Sequence, residues 1–429
     1  MDTDSHSNNL VKNTTHKVVL PFYIYSSASF FISTVFLFFS VSAFTQHFFH
    51  PQILAITHMM ALGWGTMVIL GASHQLVPVL IEGKLYSITL AYLSFVFAAA
   101  GIPLLVYGFY VFDMGWPAQL GGLTILISIL LFVINVGVSV TESKVHNVHA
   151  FFVFTAALWL LITVIIGVLL VFNFTHSFLS KNSTEYLPLH AHLGIAGWFL
   201  LLVIGVGSRL IPMFLISKYS NEKLLWIIYC LINAALLTFI GLFLYWPHTA
   251  FLFIPVLAIL LALFLFAYYC YRSFKERIRK QVDAPMKTSL LSVVMMIVPF
   301  LLLFIIVAWL MLDTLNIHVV IAYGFVIFFG WLTSIILGMT FKTLPFIVWN
   351  KIYRHISGAG KTPSPKDLFA NRIFGAMIPV YLLGFVLFVA GICAVNIFLM
   401  NFAAVLLMIT AFLYNWNVLK VLLHKPVKP

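Results

Sequence analysis

The chain has 429 residues, of which 63% are hydrophobic and only 8% charged, and its formal net charge is +12. A charged share about a third of the usual ~25% excludes a soluble globular protein, because no core of this size could hide so much apolar side chain. The positive charge alone would admit a nucleic-acid partner, but its placement along the chain argues otherwise.

Residues 1–17 form a polar tail, and the apolar run that follows has the length of a full span, so no cleavable signal is expected. Runs of membrane-spanning length then fall at about 18–45, 51–81, 86–110, 117–140, 148–174, 188–216, 223–245, 249–272, 288–312, 316–349, 371–394 and 396–423. A bilayer core needs about 20 apolar residues per helix. The expected fold is therefore an all-α polytopic membrane protein with twelve transmembrane helices, residues 18–429 forming one transmembrane domain. Cys230, Cys270 and Cys393 are too scattered for a disulfide framework, and no C-x-x-C-H motif exists for covalent haem attachment.

Basic residues collect in every second loop: Arg272, Lys275, Arg277, Arg279, Lys280 and Lys287 between the eighth and ninth runs, and Lys351, Arg354, Lys361, Lys366 and Arg372 between the tenth and eleventh. The alternate loops hold a single lysine, Lys181. This bias predicts an inner (cytoplasmic) membrane protein with both termini cytoplasmic, its second, sixth and tenth runs crossing from outside to inside. The charge is thus topological; lipid is an expected partner and nucleic acid is not.

Three runs share one motif. "GWGTMVILGASHQLVP", "GWFLLLVIGVGSRLIP" and "GWLTSIILGMTFKTLP" all fit G-W-x6-G-x6-P without a gap, around Trp64, Trp198 and Trp331, Gly71, Gly205 and Gly338, and Pro78, Pro212 and Pro345. The repeats are offset by 134 and then 133 residues. Matching helices at the second, sixth and tenth positions of twelve predict three pseudo-threefold four-helix arcs, about 18–140, 148–272 and 288–424. Most transporter repeats are twofold-related, so this arrangement is distinctive.

Of the fifteen histidines, four gather at the outer ends of the marked helices. His58 and His192 each stand six residues before their tryptophan, at equivalent depth. His318 stands 13 before Trp331, which is seven residues, or about 10 Å, further out on the same helix face. His190 and His192 are two apart and so point roughly 200° away from each other. They cannot chelate one ion from a helix and must face two different crevices. Polar groups in a bilayer are costly and usually functional, and neutral imidazole is the common ligand of haem iron and copper. His74, in the same helix as His58 but about 24 Å further along, has Ser208 and Phe341 as repeat equivalents and belongs to no such set. His146 and His149 read as an interfacial pair.

Twelve helices in three arcs, with histidines on the second, sixth and tenth, resemble the catalytic subunit (subunit I) of the haem–copper oxidase superfamily, which includes oxygen and nitric oxide reductases, and the related NnrS membrane haem proteins. The local likeness is clearest in "HAHLGIAGWFLLLVIGVGSRLIP", which is similar to the H-x-H-x-G-x-x-G-W helix of the C-type oxidases. The resemblance implies one or two b haems, with copper also allowed, and His190 facing an active-site haem while His192 serves a low-spin one. The family carries H-x-H on its tenth helix rather than the sixth. A cyclic shift of roles would make His318 the second axial ligand and His58 a copper-ligand counterpart; alternatively His58 itself completes a bis-histidine haem. Both readings stand at the level of sequence.

Two departures bear on activity. No adjacent His-His pair exists for a three-histidine copper site, and all eleven acidic residues sit in tails, loops or helix ends, which leaves no mid-membrane carboxylate for a proton relay. The resemblance thus implies electron transfer or chemistry on a small gas such as nitric oxide or oxygen, with a small redox subunit or cytochrome as partner and without pumping. A non-enzymatic haem or copper carrier, sensor or assembly factor is the alternative, and a transporter on an inherited scaffold is a third.

Overall fold

The computed structural model describes residues 16–143, 147–246, 248–354 and 362–426; the N-terminal tail before His16, with His146, His355 and Lys361, lies outside the described residues. Among the described residues twelve helices are long and apolar enough to cross a membrane: α1 His16–Phe39, α2 Pro51–Leu80, α3 Ile88–Tyr110, α4 Trp116–Thr141, α5 Val148–His176, α6 Ser183–Leu215, α7 Glu222–Tyr245, α8 Thr249–Lys275, α9 Ala284–Met311, α10 Ile317–Tyr353, α11 Asn371–Cys393 and α12 Ile397–Leu422. The chain is a multi-pass helical membrane protein. Among the described residues the only strand-like pairing is one isolated bridge, Ser217 to Arg277.

Helix starts follow from short polar side chains. Ser87, Asn147, Asn221, Asp283, Asn316 and Asn396 each accept a backbone N–H in the first turn of the helix they precede, satisfying donors that lipid could not. Two boundaries differ from expectation. A capping box between Asn182 and Glu185 starts α6 at Ser183, before the apolar run begins. The first helix stops at Phe39, and Val41–Thr45 forms a separate 3-10 turn that carries Phe44 inward.

Consecutive helices pack side by side, and α12 closes back on α1. Burial separates the inner helices from the outer. The apolar windows of α2, α6 and α10 are 67%, 72% and 83% buried, whereas no other helix exceeds 50%. Each motif glycine receives the first helix of its own unit. A Cβ on Gly71 would strike Phe22 of α1, on Gly205 it would strike Phe152 of α5, and on Gly338 it would strike Ser289 of α9. The repeat glycines are therefore close-approach points of the kind that hold membrane helices together.

The pseudo-threefold axis is visible in a small cavity of about 100 Å³. Five register positions line it from each inner helix: Val68, Ile69, Ala72, Ser73 and Leu76; Leu202, Val203, Val206, Gly207 and Leu210; Ile335, Ile336, Met339, Thr340 and Thr343. The three motif tryptophans, all fully buried, sit in a partial ring of hydrogen bonds. Trp64 Nε1 donates to Thr333 Oγ1 at 3.2 Å and Trp198 Nε1 to Thr66 Oγ1 at 3.1 Å. Each acceptor stands two residues after the tryptophan of the preceding unit. The corresponding position for Trp331 is Leu200, and the Trp331 indole N–H has no hydrogen-bond partner among the described residues.

Candidate functional site

Each inner helix changes pitch at one place. π-helical segments occupy Met59–Thr66, Leu193–Leu200 and Val326–Leu332, each beginning on the residue after the position six before the motif tryptophan. Such wider turns are uncommon and often mark functional sites. Here the third one follows Phe325, not a histidine, so the segment belongs to the scaffold of all three units.

A continuous cavity of about 510 Å³ wraps around the start of α6. One lobe lies between α2 and α6 and is walled by Leu105, Ile125 and Val164 of α3, α4 and α5. The other lies between α6 and α10, walled by Leu236, Val256 and Val307 of α7, α8 and α9. The lining is overwhelmingly apolar, and its polar members are His58, His190, His192, Tyr323 and a few threonines. Its volume falls in the range of about 300–1,000 Å³ usual for cofactor and ligand pockets.

Within the first lobe His58 and His190 stand opposite each other, ring centroids 6.2 Å apart and planes within 16° of parallel. Across the second lobe His192 stands opposite Tyr323, at 6.0 Å and 23°. The two α6 histidines thus serve different crevices, as their spacing predicts. A phenylalanine on the next helix meets each partner ring edge-on: Phe109 against His58 and Phe239 against His192.

All three imidazoles are held the same way. His58 Nδ1 lies 2.8 Å from Leu54 O, His192 Nδ1 2.7 Å from Pro188 O, and His190 Nδ1 3.0 Å from Thr163 O. A carbonyl can only accept, so Nδ1 carries the proton and Nε2 presents a lone pair. That is the tautomer and the anchoring that metal-ligating histidines use. His192 Nε2 is buried with no hydrogen-bond partner, and so is the Tyr323 hydroxyl. Gly167 on α5 makes room for the His190 ring, since a Cβ there would come within 2.8 Å of Cε1.

The third crevice, between α10 and α2, carries phenylalanines where the others carry histidines. Phe325 stacks on Phe329 at 4.6 Å and Phe388 at 4.4 Å, with Phe44 edge-on to Phe388. Of the four histidines singled out by sequence, the structure gathers His58, His190 and His192 and leaves His318 apart. His318 opens α10 beside its cap, Asn316, whose Oδ1 accepts the His318 backbone N–H, and it does not line the cavity. The seven-residue offset carries it too far out. The residue sequence reading missed is Tyr323, which stands eight before Trp331 as His190 stands eight before Trp198. Counting back from the tryptophan would have found it.

His149 is pinned to Ser208 Oγ at 3.0 Å on the basic-loop side, and His74 lies between Phe22 and Phe132; neither touches this cavity. Among the described residues no three His, Cys, Asp or Glu side chains form a metal-binding group.

Fold and cavity together define, among the described residues, a twelve-helix membrane protein with an apolar, histidine-faced cavity that wraps around the sixth helix. Compared with known families and with curated protein sequences, the chain matches no family model and no curated sequence.

Proposed function

We propose that the protein binds haem b in the cavity, with His58 and His190 as the two axial ligands of one haem, and that it works in electron transfer or with a small gas such as nitric oxide or oxygen. The observation that carries this is the facing pair of imidazoles, each with Nδ1 tied to a carbonyl and Nε2 left free. Two nitrogen–metal bonds of about 2 Å put imidazole centroids roughly 6 Å apart, and the observed 6.2 Å suits that. A porphyrin supplies the other four ligands of iron, so two protein ligands suffice. The pairing assigns His190 to a bis-histidine haem, the opposite of the role the family resemblance implies, and needs no part for His318.

The same two imidazoles could hold a single cuprous ion in a copper carrier. The cavity favours the larger ligand, since a bare ion has no use for about 510 Å³ of apolar space. Protein purified from a haem-sufficient host should carry iron and a Soret band, and His58→Ala and His190→Ala should each lose that band or shift it to that of a high-spin haem. A colourless wild type, or stoichiometric copper without iron, would overturn the reading.

We also infer that the basic loops face the cytoplasm and the histidine end faces outward, which suits a small redox protein as electron donor from outside. Labelling of cysteines placed at Lys181 and Lys280 in intact cells should mark the first and spare the second; the reverse pattern would invert the topology.

A further inference from the structure

A haem between His58 and His190 leaves two polar atoms of the second lobe unused. His192 Nε2 and the Tyr323 hydroxyl are buried, and neither has a hydrogen-bond partner among the described residues. Their rings face each other at 6.0 Å and 23°, and Tyr323 as a whole is only 7% exposed. An iron held by His192 with a free position beyond it does not fit between rings so close. The two atoms are instead complementary. Because His192 Nδ1 gives its proton to Pro188 O at 2.7 Å, Nε2 can only accept, whereas the phenol opposite can donate. Buried groups of both kinds are costly to leave unpaired.

We propose that the second lobe binds an uncharged amphiphile with a hydroxyl head and a hydrocarbon tail. One hydroxyl completes both atoms at once: its O–H donates to His192 Nε2, and its oxygen accepts from Tyr323. A single oxygen, about 2.8 Å from each polar atom, is a bridge of the size that such closely facing rings admit. A ketone or ester carbonyl would satisfy the tyrosine alone. A carboxylate would bury its charge among lining residues that include no Lys or Arg. A lone water would bridge the pair but leave Leu236, Phe239, Val256, Ile259, Phe300 and Val307 with nothing to pack against on the cavity side. A hydrocarbon tail supplies that packing. Leu310 and Leu315, at the histidine end of α9 and in the turn to α10, line the same cavity and are exposed, so the lobe reaches the surface there. The site rests on the second lobe alone and is independent of haem in the first.

The test uses the purified full chain in lipid nanodiscs, with a long-chain alcohol carrying a photoreactive diazirine in its tail as probe. Labelling should saturate and map to the α8 and α9 segments that hold Val256, Ile259, Phe300 and Val307. Unlabelled 1-dodecanol should compete, while dodecane and dodecanoate should not. His192→Ala and Tyr323→Phe should each weaken probe binding by about two- to tenfold, the worth of one net hydrogen bond. Tyr323→Phe preserves shape and should leave the Soret band of the first lobe as in wild type, which separates loss of this site from loss of the haem reading or of the fold. Binding that is equal in wild type and both variants, or that dodecane displaces as well as 1-dodecanol does, would overturn the proposal. So would wild type without saturable labelling of these segments, which leaves a bridging water only. Two haems per chain, one of them lost in His192→Ala, would also overturn it, because Nε2 would then be an iron ligand.

Discussion

The chemistry of this protein is set by single atoms. Three imidazoles in a largely apolar cavity are useful only if one ring nitrogen is fixed as donor, and three backbone carbonyls do that at 2.7–3.0 Å. Gly167 is the complementary device, an absent side chain beside the His190 ring. Gly167→Ala should therefore displace that ring at a cost of about 1–3 kcal/mol, shifting or weakening the haem spectrum while both ligands remain. A Gly167→Ala spectrum identical to wild type would show that His190 needs no such clearance. The histidines themselves were legible in sequence from their distance to the tryptophans, and so was the divergence of His190 and His192. Their partners were not, because facing across a crevice depends on two helices from different repeats. Tyr323 carried no signal until its register was compared with that of His190.

At the scale of helices, the three inner spans are one design with unequal polish. Two of the three tryptophans donate to a threonine of the preceding unit, and the third meets a leucine position instead. Hydrogen bonds between membrane helices contribute on average about 0.6 kcal/mol and at most about 1.7. Trp64→Phe and Trp198→Phe should thus destabilise more than Trp331→Phe by roughly that amount, read as an ordering of melting temperatures in detergent. Equal losses would mean that the indole N–H bonds contribute nothing. At the other end of α10, Lys342 Nζ reaches Asp283 Oδ2 at 2.7 Å, clasping the cap of α9. Burial pushes the Asp283 carboxyl up, but Lys342, the Met286 N–H and Arg279 outweigh it and hold it below its ordinary value of about 3.8. A depressed folded value means stability that is present above the unfolded value and lost as pH falls through the folded one. Wild type should lose melting temperature on acidification below about pH 4, and Asp283→Asn should start lower and stay flatter over that window. The motif glycines and the helix count were readable in sequence; the π-helical turns and the Lys342–Asp283 clasp were not, since hydropathy carries no information on pitch or on partners 59 residues away.

For the whole molecule, a pseudo-threefold scaffold yields sites that are related but not equal. The first crevice has two histidines, the second a histidine and a tyrosine, and the third a stack of phenylalanines. Such a scaffold lets neighbouring crevices differ in their facing side chains without any change in backbone. The twelve spans and three units were predictable because bilayer thickness and the repeat motif both leave strong marks on sequence. Which side chains face each other across the crevices was not, because it depends on pairing between helices of different units. The central claim is that His58 and His190 bind one iron from opposite sides. Electron paramagnetic resonance of the oxidised, purified protein tests it most directly. The account predicts a low-spin signal from two axial imidazoles, converted to high-spin or abolished in His190→Ala and again in His58→Ala. A low-spin signal that persists in either variant, or an iron-bound wild type with only high-spin haem, would contradict it.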